Sequence, residues 1–544
     1  MIAMKKYSRL CVLLSGVVIL ASCKDEVVFT PEYPLDVPVD SVLTARVDAS
    51  KVYQTIDGFG ASDAWNMNYV GKYWSASNKE GIAKLLFSSE IVDGRPKGIG
   101  LSHWRFNVGG GTAEQGEASG IDWVNSRTRA VECFLKEDGT YDWTKSSGQQ
   151  YFLRKAKDYG CESFTFFSCT PPVYYTKNGK GWSDAGASSN LKDEYYGDFA
   201  DFLATVTKHF VDEGYNVSYI SPVNEPEYNW GPGSNQEGSG WQNTQVAQLA
   251  KELNASLENN GLFNTKILIS ETGSWNYLYE SLNDGRGNVL NAYFNPSSTD
   301  TYIGNLSHLA NIIAGHSYYT DKTWEQLKTV RENVRTEVGK YDGLKVYQTE
   351  WSMMQYEGEA NYEDCPDFAS ATYMDLSLAM SKVIHHDLVT ANISSWCYWT
   401  SGECERWGQL NRFYLIRLVP GGGDYGDMAE DGIYSASKNL WVLGNYSLFV
   451  RPGYQRIDLN IPNSDNMFFG SAYLAPEKDK LVIVYTNCSQ KSIKVTNEFE
   501  GLEKQVGEYE QYVTSASTDL KKTTSYEKGI VPARSVATFV YSLN

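Results

Sequence analysis

A chain of 544 residues can bury one large core and a second smaller one, and 42% hydrophobic with 21% charged residues is the balance of a globular protein. A formal net charge of −18 argues against nucleic acid or an anionic membrane surface as a partner. Aromatic residues reach 14%, with 15 Trp and 38 Tyr; this exceeds what cores usually require, and flat rings with a polar edge suit stacking on sugars.

The N-terminus carries Lys5, Lys6 and Arg9, then the apolar run 11–20, and closes on Leu-Ala-Ser-Cys at Cys23. Residues 1–23 read as a secretory signal, too short to span a bilayer. The ending resembles the lipobox of bacterial lipoproteins, in which Cys23 is lipidated and becomes the mature N-terminus. Lys24, Asp25 and Glu26 resemble an acidic export signal of Gram-negative surface lipoproteins. The expected location is therefore the bacterial outer membrane, exposed at the cell surface, with the periplasm as the alternative. Residues 24–42, with Pro31, Pro34 and Pro38, read as an extended tether. No later segment is apolar enough to cross a bilayer, so a membrane is a partner only through the lipid anchor.

The middle of the chain alternates strand-like and helix-like stretches, the pattern of a parallel α/β fold. Eight strands are predicted, at 54–62, 100–108, 162–169, 217–225, 266–271, 312–318, 344–350 and 393–400. Between the fourth and fifth, the spacing of Val246, Leu249, Leu253 and Leu257 predicts a helix capped by Asn243 or Thr244 and ended by Gly261. After about Trp441 the texture changes to short β runs with turn residues between them, a small β domain. Outside the signal there are seven Cys with no C-x-x-C pair and no zinc-type spacing. They read as buried small apolar residues, with room for one disulfide.

Two stretches carry the chemistry. The apolar run from Val217 ends in Asn224-Glu225-Pro226, and the proline forces the chain into a loop, so Glu225 belongs at a rim. The run from Leu344 closes on Glu350-Trp351, 125 residues later. A (β/α)8 barrel spends roughly 30 residues per unit and keeps its chemistry at the C-terminal ends of its strands, so three units fit that gap. Two carboxylates at one rim are what glycoside hydrolysis needs, one to protonate the leaving oxygen and one to attack the anomeric carbon or activate water. Glu225 suits the proton donor and Glu350 the ionised partner, with Arg105, between Trp104 and Phe106, placed to keep Glu350 charged. Glu271, at the end of the fifth strand, is the rival carboxylate, and Glu227, Glu237 and Glu403 are weaker ones. His103 reads as a core histidine. The Gly-rich loop 227–241 lacks a phosphate-loop ending, and its two Trp suggest a subsite wall. No G-x-S-x-G and no H-E-x-x-H occurs, which argues against a serine hydrolase and a metallohydrolase. No cofactor and no metal are expected.

The motifs I-D-G-F-G-A-S-D-A-W at 56–65, L-S-H-W-R-F-N-V-G-G-G at 101–111, P-V-N-E-P at 222–226, G-H-S-Y at 315–318, Y-Q-T-E-W at 347–351 and S-W-C-Y-W-T at 395–400 run in order along nearly the whole mature chain. Together they resemble glycoside hydrolase family 30, and within it the endo-β-1,6-galactanase group. The resemblance implies a (β/α)8 barrel at 58–435 with a side β-sandwich made of 43–57 and 436–544. It further implies retaining chemistry with Glu225 as acid/base and Glu350 as nucleophile, and a sugar pocket including Arg105, Asn224, Tyr318 and Trp399. Asp63 and Trp65 are candidates to bind sugar, Asp63 having helix capping as its alternative role; His316 joins Tyr318 as a rim residue. Either Asp63 or Asn107 could recognise an axial galactose hydroxyl. Where many relatives have a Trp after the third strand, this chain has F-S-C-T-P-P around Cys169. The expected activity is endo-cleavage of β-1,6-galactan, the substrate partner being a polysaccharide or oligosaccharide. The alternatives are a β-1,6-glucanase or other family 30 β-glycosidase and, in another class, a non-catalytic surface glycan-binding lipoprotein.

Overall fold

The computed structural model describes residues 38–354, 362–462, 464 and 466–544. Cys23, the signal segment and the tether as far as residue 37 lie outside the described residues. Eight parallel strands close into a barrel: Gly58–Ser62, His103–Asn107, Ser163–Phe167, Val217–Ser221, Lys266–Thr272, Leu309–Gly315, Lys345–Trp351 and Ser395–Tyr398, called strands one to eight below. Each overlaps the stretch expected for it, and the fold class is the expected one. Strands one and two are buried at every position, although strand two carries His103, Arg105 and Asn107, because a barrel strand is covered on both faces. The seam closes where strand eight pairs with strand one, Ser395 opposite Gly58 and Tyr398 opposite Ala61. Gly60 permits this closure, since a Cβ there would stand 2.8 Å from Cys397 Sγ of strand eight.

Helices cover the barrel's outside. Between strands four and five, Asn243–Asn259 buries Val246, Leu249, Leu253 and Leu257, as the spacing predicts. Its N-cap is Gln242 rather than Asn243 or Thr244; Gln245 Oε1 accepts the Gln242 N–H at 3.0 Å, the reciprocal half of a capping box.

The side domain is one nine-stranded sheet folded around its own core of Val47, Ile457, Ile483, Val495 and Phe539, separate from the barrel's core. Ser41–Thr55, ahead of the barrel, lies inside this sheet, parallel to Ile493–Glu500 on one side and antiparallel to Gln455–Asn460 on the other. A helix, Lys438–Ser447, stands where the sequence suggested the start of a β region. It is buried on nearly every side, its Asn439, Asn445 and Ser447 included, so no helical period shows, because it is packed between the helix Tyr373–Val389 and the sheet strands Val506–Ser515 and Ser535–Leu543. Asn445 Nδ2 donates to Thr538 Oγ1 at 2.9 Å, and that hydroxyl donates back to the Asn445 carbonyl at 2.7 Å.

The seven cysteines are all buried and all free, so the disulfide for which the sequence left room does not form among them. Among the described residues, no helix is long and apolar enough to cross a membrane.

Candidate active site

Strand four leaves its ladder at Ser221, four residues before Glu225, because Pro222 has no N–H to donate. The chain then turns so sharply that Glu225 takes a left-handed backbone, φ 46°, and Glu271 does the same at the end of strand five, φ 54°. Such a conformation costs a non-glycine residue on the order of 1 kcal/mol or more and persists only where neighbours enforce it. Here the Glu225 N–H donates to the Glu271 carbonyl at 2.8 Å, and the Glu225 carbonyl accepts from Tyr228 N and Trp230 Nε1, both at 3.1 Å. The corner aims the Glu225 carboxyl across the barrel mouth at the strand-seven residue Glu350.

Glu350 sits on strand seven where its pairing with strand eight shifts register, between Gln348 and Trp351, and accepts two hydrogen bonds, from Arg105 Nη1 at 2.8 Å and from Tyr318 Oη at 3.0 Å. The other arm of the Arg105 fork reaches Glu271 Oε2 at 3.3 Å, and its guanidinium lies over the Phe167 ring at 4.3 Å. His316 links the second pair, with Nδ1 at 2.9 Å from Glu225 Oε1 and Nε2 at 3.1 Å from Glu271 Oε2. Ser221 Oγ donates to Glu271 Oε1 at 2.6 Å, and Thr349 Oγ1 donates to Oε2. Glu271 is therefore the anion at the centre of the floor, touched by both cations.

Burial would raise the Glu271 carboxyl, but Arg105, His316 and Ser221 outweigh it and hold it at about 2. Burial likewise works against a charged His316, yet Glu350, Glu225 and Glu271 surround the ring and lift it to about 10. His316 is then a cation donating from both nitrogens. Glu225 is pushed up, by burial first and by the nearby Glu350 carboxylate, with His316 opposing. An ionised base, a cation pair and a carboxyl inclined to keep its proton is an acid–base arrangement. Among the described residues, Glu225, His316 and Glu350 are also the one group whose ligand atoms, all within 4.8 Å of one another, could hold a metal ion. A cation there would face protonated His316 and Arg105, so the charges fit proton transfer better than metal binding.

Above this floor opens a cleft of about 370 Å³, lined by Asn224, Glu225, Tyr318, Glu350, Trp399 and Cys169, with Tyr228, Trp230, Tyr319 and Met354 on its walls. Asn224 Oδ1 has no hydrogen-bond partner. Arg105 and His316 stand immediately behind Glu350 and Glu225. Trp65 meets Trp399 edge to face at 4.9 Å and forms the layer beneath it. Asp63 lies deeper than a rim position. Its Oδ1 accepts the Asn107 N–H at 3.0 Å and its Oδ2 accepts Gln149 Nε2 at 3.1 Å, so it ties strand one to strand two and does not line the cleft. It does not cap a helix either, since the helix Asn66–Tyr73 begins after Trp65 without a side-chain cap. Asn107 is also beneath the surface; its Nδ2 donates to Cys169 Sγ at 3.6 Å while its Oδ1 is unpartnered. His103 is buried in the barrel with Nε2 3.0 Å from Thr165 Oγ1. Of the two Trp in loop 227–241, Trp230 forms a cleft wall, but Trp241 packs into the core against Phe199. The bridging position of Glu271 between His316 and Arg105 is invisible in the sequence, where those residues are far apart.

The family model for O-glycosyl hydrolase family 30 matches residues 42–407. An endo-beta-1,6-galactanase from Hypocrea rufa is 23% identical over 82% of this chain and 81% of its own length. The crystal structure of a conserved exported protein from Bacteroides fragilis superposes with a TM-score of 0.82 at 31% identity, covering 91% of this chain and all of that one. A solved endo-beta1,6-glucanase has the same fold, with a TM-score of 0.60, 16% identity and coverage of 93% of this chain and 95% of its own. A barrel with two facing carboxylates at its mouth, matched over most of its length, settles the family: the chain belongs to O-glycosyl hydrolase family 30.

Proposed function

We propose that this glycosidase is a retaining endo-β-1,6-galactanase, with Glu350 as nucleophile and Glu225 as acid/base. The observation that carries the mechanism is the facing of the two carboxylates, whose nearest oxygens lie within 4.8 Å. Retaining enzymes hold their carboxyl groups roughly 5 to 5.5 Å apart, whereas inverting ones need about 6.5 Å or more to admit a water between them. A Glu350 oxygen attacks the anomeric carbon as the glycosidic bond breaks, and the proton on Glu225 passes to the leaving oxygen. The products of this step are a glycosyl ester on Glu350 and a Glu225 carboxylate. Glu225 then takes a proton from water, the hydroxide oxygen bonds to the anomeric carbon, and the ester breaks to restore both groups.

The charges of the site support this cycle. With Glu225 protonated, the anions Glu271 and Glu350 balance Arg105 and His316. When Glu350 becomes an uncharged ester, an ionised Glu225 takes its place in the balance. The site is neutral at both stages, which keeps the low-dielectric pocket favourable throughout.

The galactan substrate rests on the Hypocrea relative; Asp63 and Asn107, the two residues suggested by the sequence for the axial 4-hydroxyl of galactose, lie beneath the cleft and do not line it. The similarity to an endo-β1,6-glucanase favours β-1,6-glucan as the second reading. Digesting debranched arabinogalactan and β-1,6-glucan side by side decides between them; faster release of gluco-oligosaccharides overturns the galactan assignment. Proton NMR of a fresh digest tests retention, since an initial α-anomer signal is incompatible with it. The Leu-Ala-Ser-Cys ending supports acylation of Cys23 and anchorage at the outer membrane, cell-surface exposed; Cys23→Ala should then release the protein from the membrane fraction.

A further inference from the structure

We propose that Trp407 and Tyr425 form a distal sugar-binding platform serving the glycone side of the cleft. The inference rests on the polysaccharidase reading above and extends it to sugars several positions from the cleaved bond. Trp407 is 68% exposed and Tyr425 64% exposed, so neither fills a core. The two rings meet edge to face, with centroids 5.7 Å apart. They are held rather than loose. Tyr425 Oη accepts the Trp407 N–H at 2.9 Å, and the Arg406 guanidinium lies within 6 Å of both rings while its Nε donates to the Asp424 carbonyl at 2.6 Å. Arg417 holds the Asp424 carboxylate at 2.6 Å, and Trp407 itself adopts a left-handed backbone, φ 50°. A rigid apolar face with polar edges, left open to water, is suited to the face of a pyranose ring.

The position fixes what would occupy it. The loop bearing both rings leaves strand eight directly after the cleft residue Trp399. Arg406 Nη1 donates to the Asn125 carbonyl at 3.3 Å, which docks it onto the loop after strand two. Between platform and cleft lies a file of stacked groups: Trp399 edge-on to Trp65, and Arg129 over the Trp65 ring at 4.9 Å, with Glu403 and Arg406 acting on the Arg129 charge. Glu225, which faces the leaving group in the proposed reaction, is at the end of strand four. Strand eight is diametrically opposite in the ring of eight. A chain whose aglycone lies toward Glu225 therefore extends its other arm toward Trp407.

The test compares Trp407→Ala and Tyr425→Ala with wild type on two substrates, debranched β-1,6-galactan and β-1,6-galactotriose, with Trp407→Phe as the variant that keeps an aromatic face. Loss of stacking should raise KM for the polymer about tenfold in Trp407→Ala with kcat within about twofold. Triose kinetics should not change, and Trp407→Phe should recover most of the polymer KM. An unchanged polymer KM overturns the platform, and so does an equal loss on polymer and triose. If wild type cleaves β-1,6-glucan instead, the galactan reading falls, and the same comparison with glucan and gluco-triose decides the platform. A wild type that cleaves neither polymer removes both.

Discussion

Two sets of buried carboxylates lie within the same barrel mouth and differ in what they are bonded to. Glu225, Glu271 and Glu350 share Arg105 and His316, and at least Glu271 is held firmly ionised. Asp63, Glu227 and Glu237 are as deeply buried but have only amide, hydroxyl or backbone donors. Glu237 accepts Gly110 N at 3.0 Å and Thr112 Oγ1 at 2.6 Å, and Glu227 accepts Gly273 N at 3.2 Å. Burial dominates there and lifts Asp63 to about 7, Glu227 to about 8 and Glu237 to about 7. Depth alone therefore does not make a carboxylate reactive; a shared cation does, because it lets charge move among neighbours at constant total.

The sharpest way to break this contrast is Glu350→Gln. It should lower kcat by roughly 10⁴ or more while the purified variant stays folded and still binds polymer; substantial turnover in such a sample would end its role as nucleophile. Glu225→Gln should cost about 10² to 10⁴ on polysaccharide, the range for a lost general acid. With a dinitrophenyl glycoside, whose leaving group needs no proton, formation of the glycosyl ester should be nearly spared. Equal loss on both substrates would remove Glu225 as proton donor.

Glu271→Gln is subtler, because Glu271 touches no sugar in the proposed cycle and acts by setting the charge around Glu225. Removing one negative charge favours the ionised form of Glu225, so its pKa falls. The basic limb of the kcat/KM profile, which reports protonated Glu225, should move to lower pH by about one unit. Lower activity with an unmoved limb would mean that Glu271 only holds the floor together. The smallest effect belongs to the other set. Glu227→Gln should leave kcat within about twofold, since a carboxyl lifted to about 8 is largely uncharged at neutral pH. The sign on stability is opposite to that of an ion-paired carboxylate. Its folded value stands above its ordinary 4.5, so its stabilisation is complete below pH 4.5 and is lost as pH rises through about 8. The Tm difference between variant and wild type should then grow in favour of Gln across that window, and a flat difference would contradict burial as the cause.

What was legible in the sequence follows the reach of each signal. Strand ends bearing Glu225 and Glu350 stand out because a β run, a carboxylate and a Pro or Trp are adjacent in the chain. The buried setting of Arg105 is equally local, flanked as it is by Trp104 and Phe106. The His316 bridge is not, since 225, 271 and 316 meet only when strands four, five and six lie side by side. Asp63 has the same difficulty, for its partner Gln149 sits on a helix 86 positions away. Trp230 and Trp241 share one Gly-rich loop and look alike in sequence; only packing against Phe199 sends one inward. The helix Lys438–Ser447 hides because a segment covered on every side has no polar face to give it a period.

The strand Ser41–Thr55 has a consequence for how the molecule is made. A ribosome delivers it before any of the barrel, yet Arg46 ends beside Glu498, 452 positions further on. Both ladders that hold it, to Gln455–Asn460 and to Ile493–Glu500, must wait until the barrel has been synthesised. Throughout that interval the nascent chain carries an unmated strand with both edges open, the form most prone to join a wrong neighbour. Completion of the side sheet is thus the step that locks this strand to segments made only after the barrel.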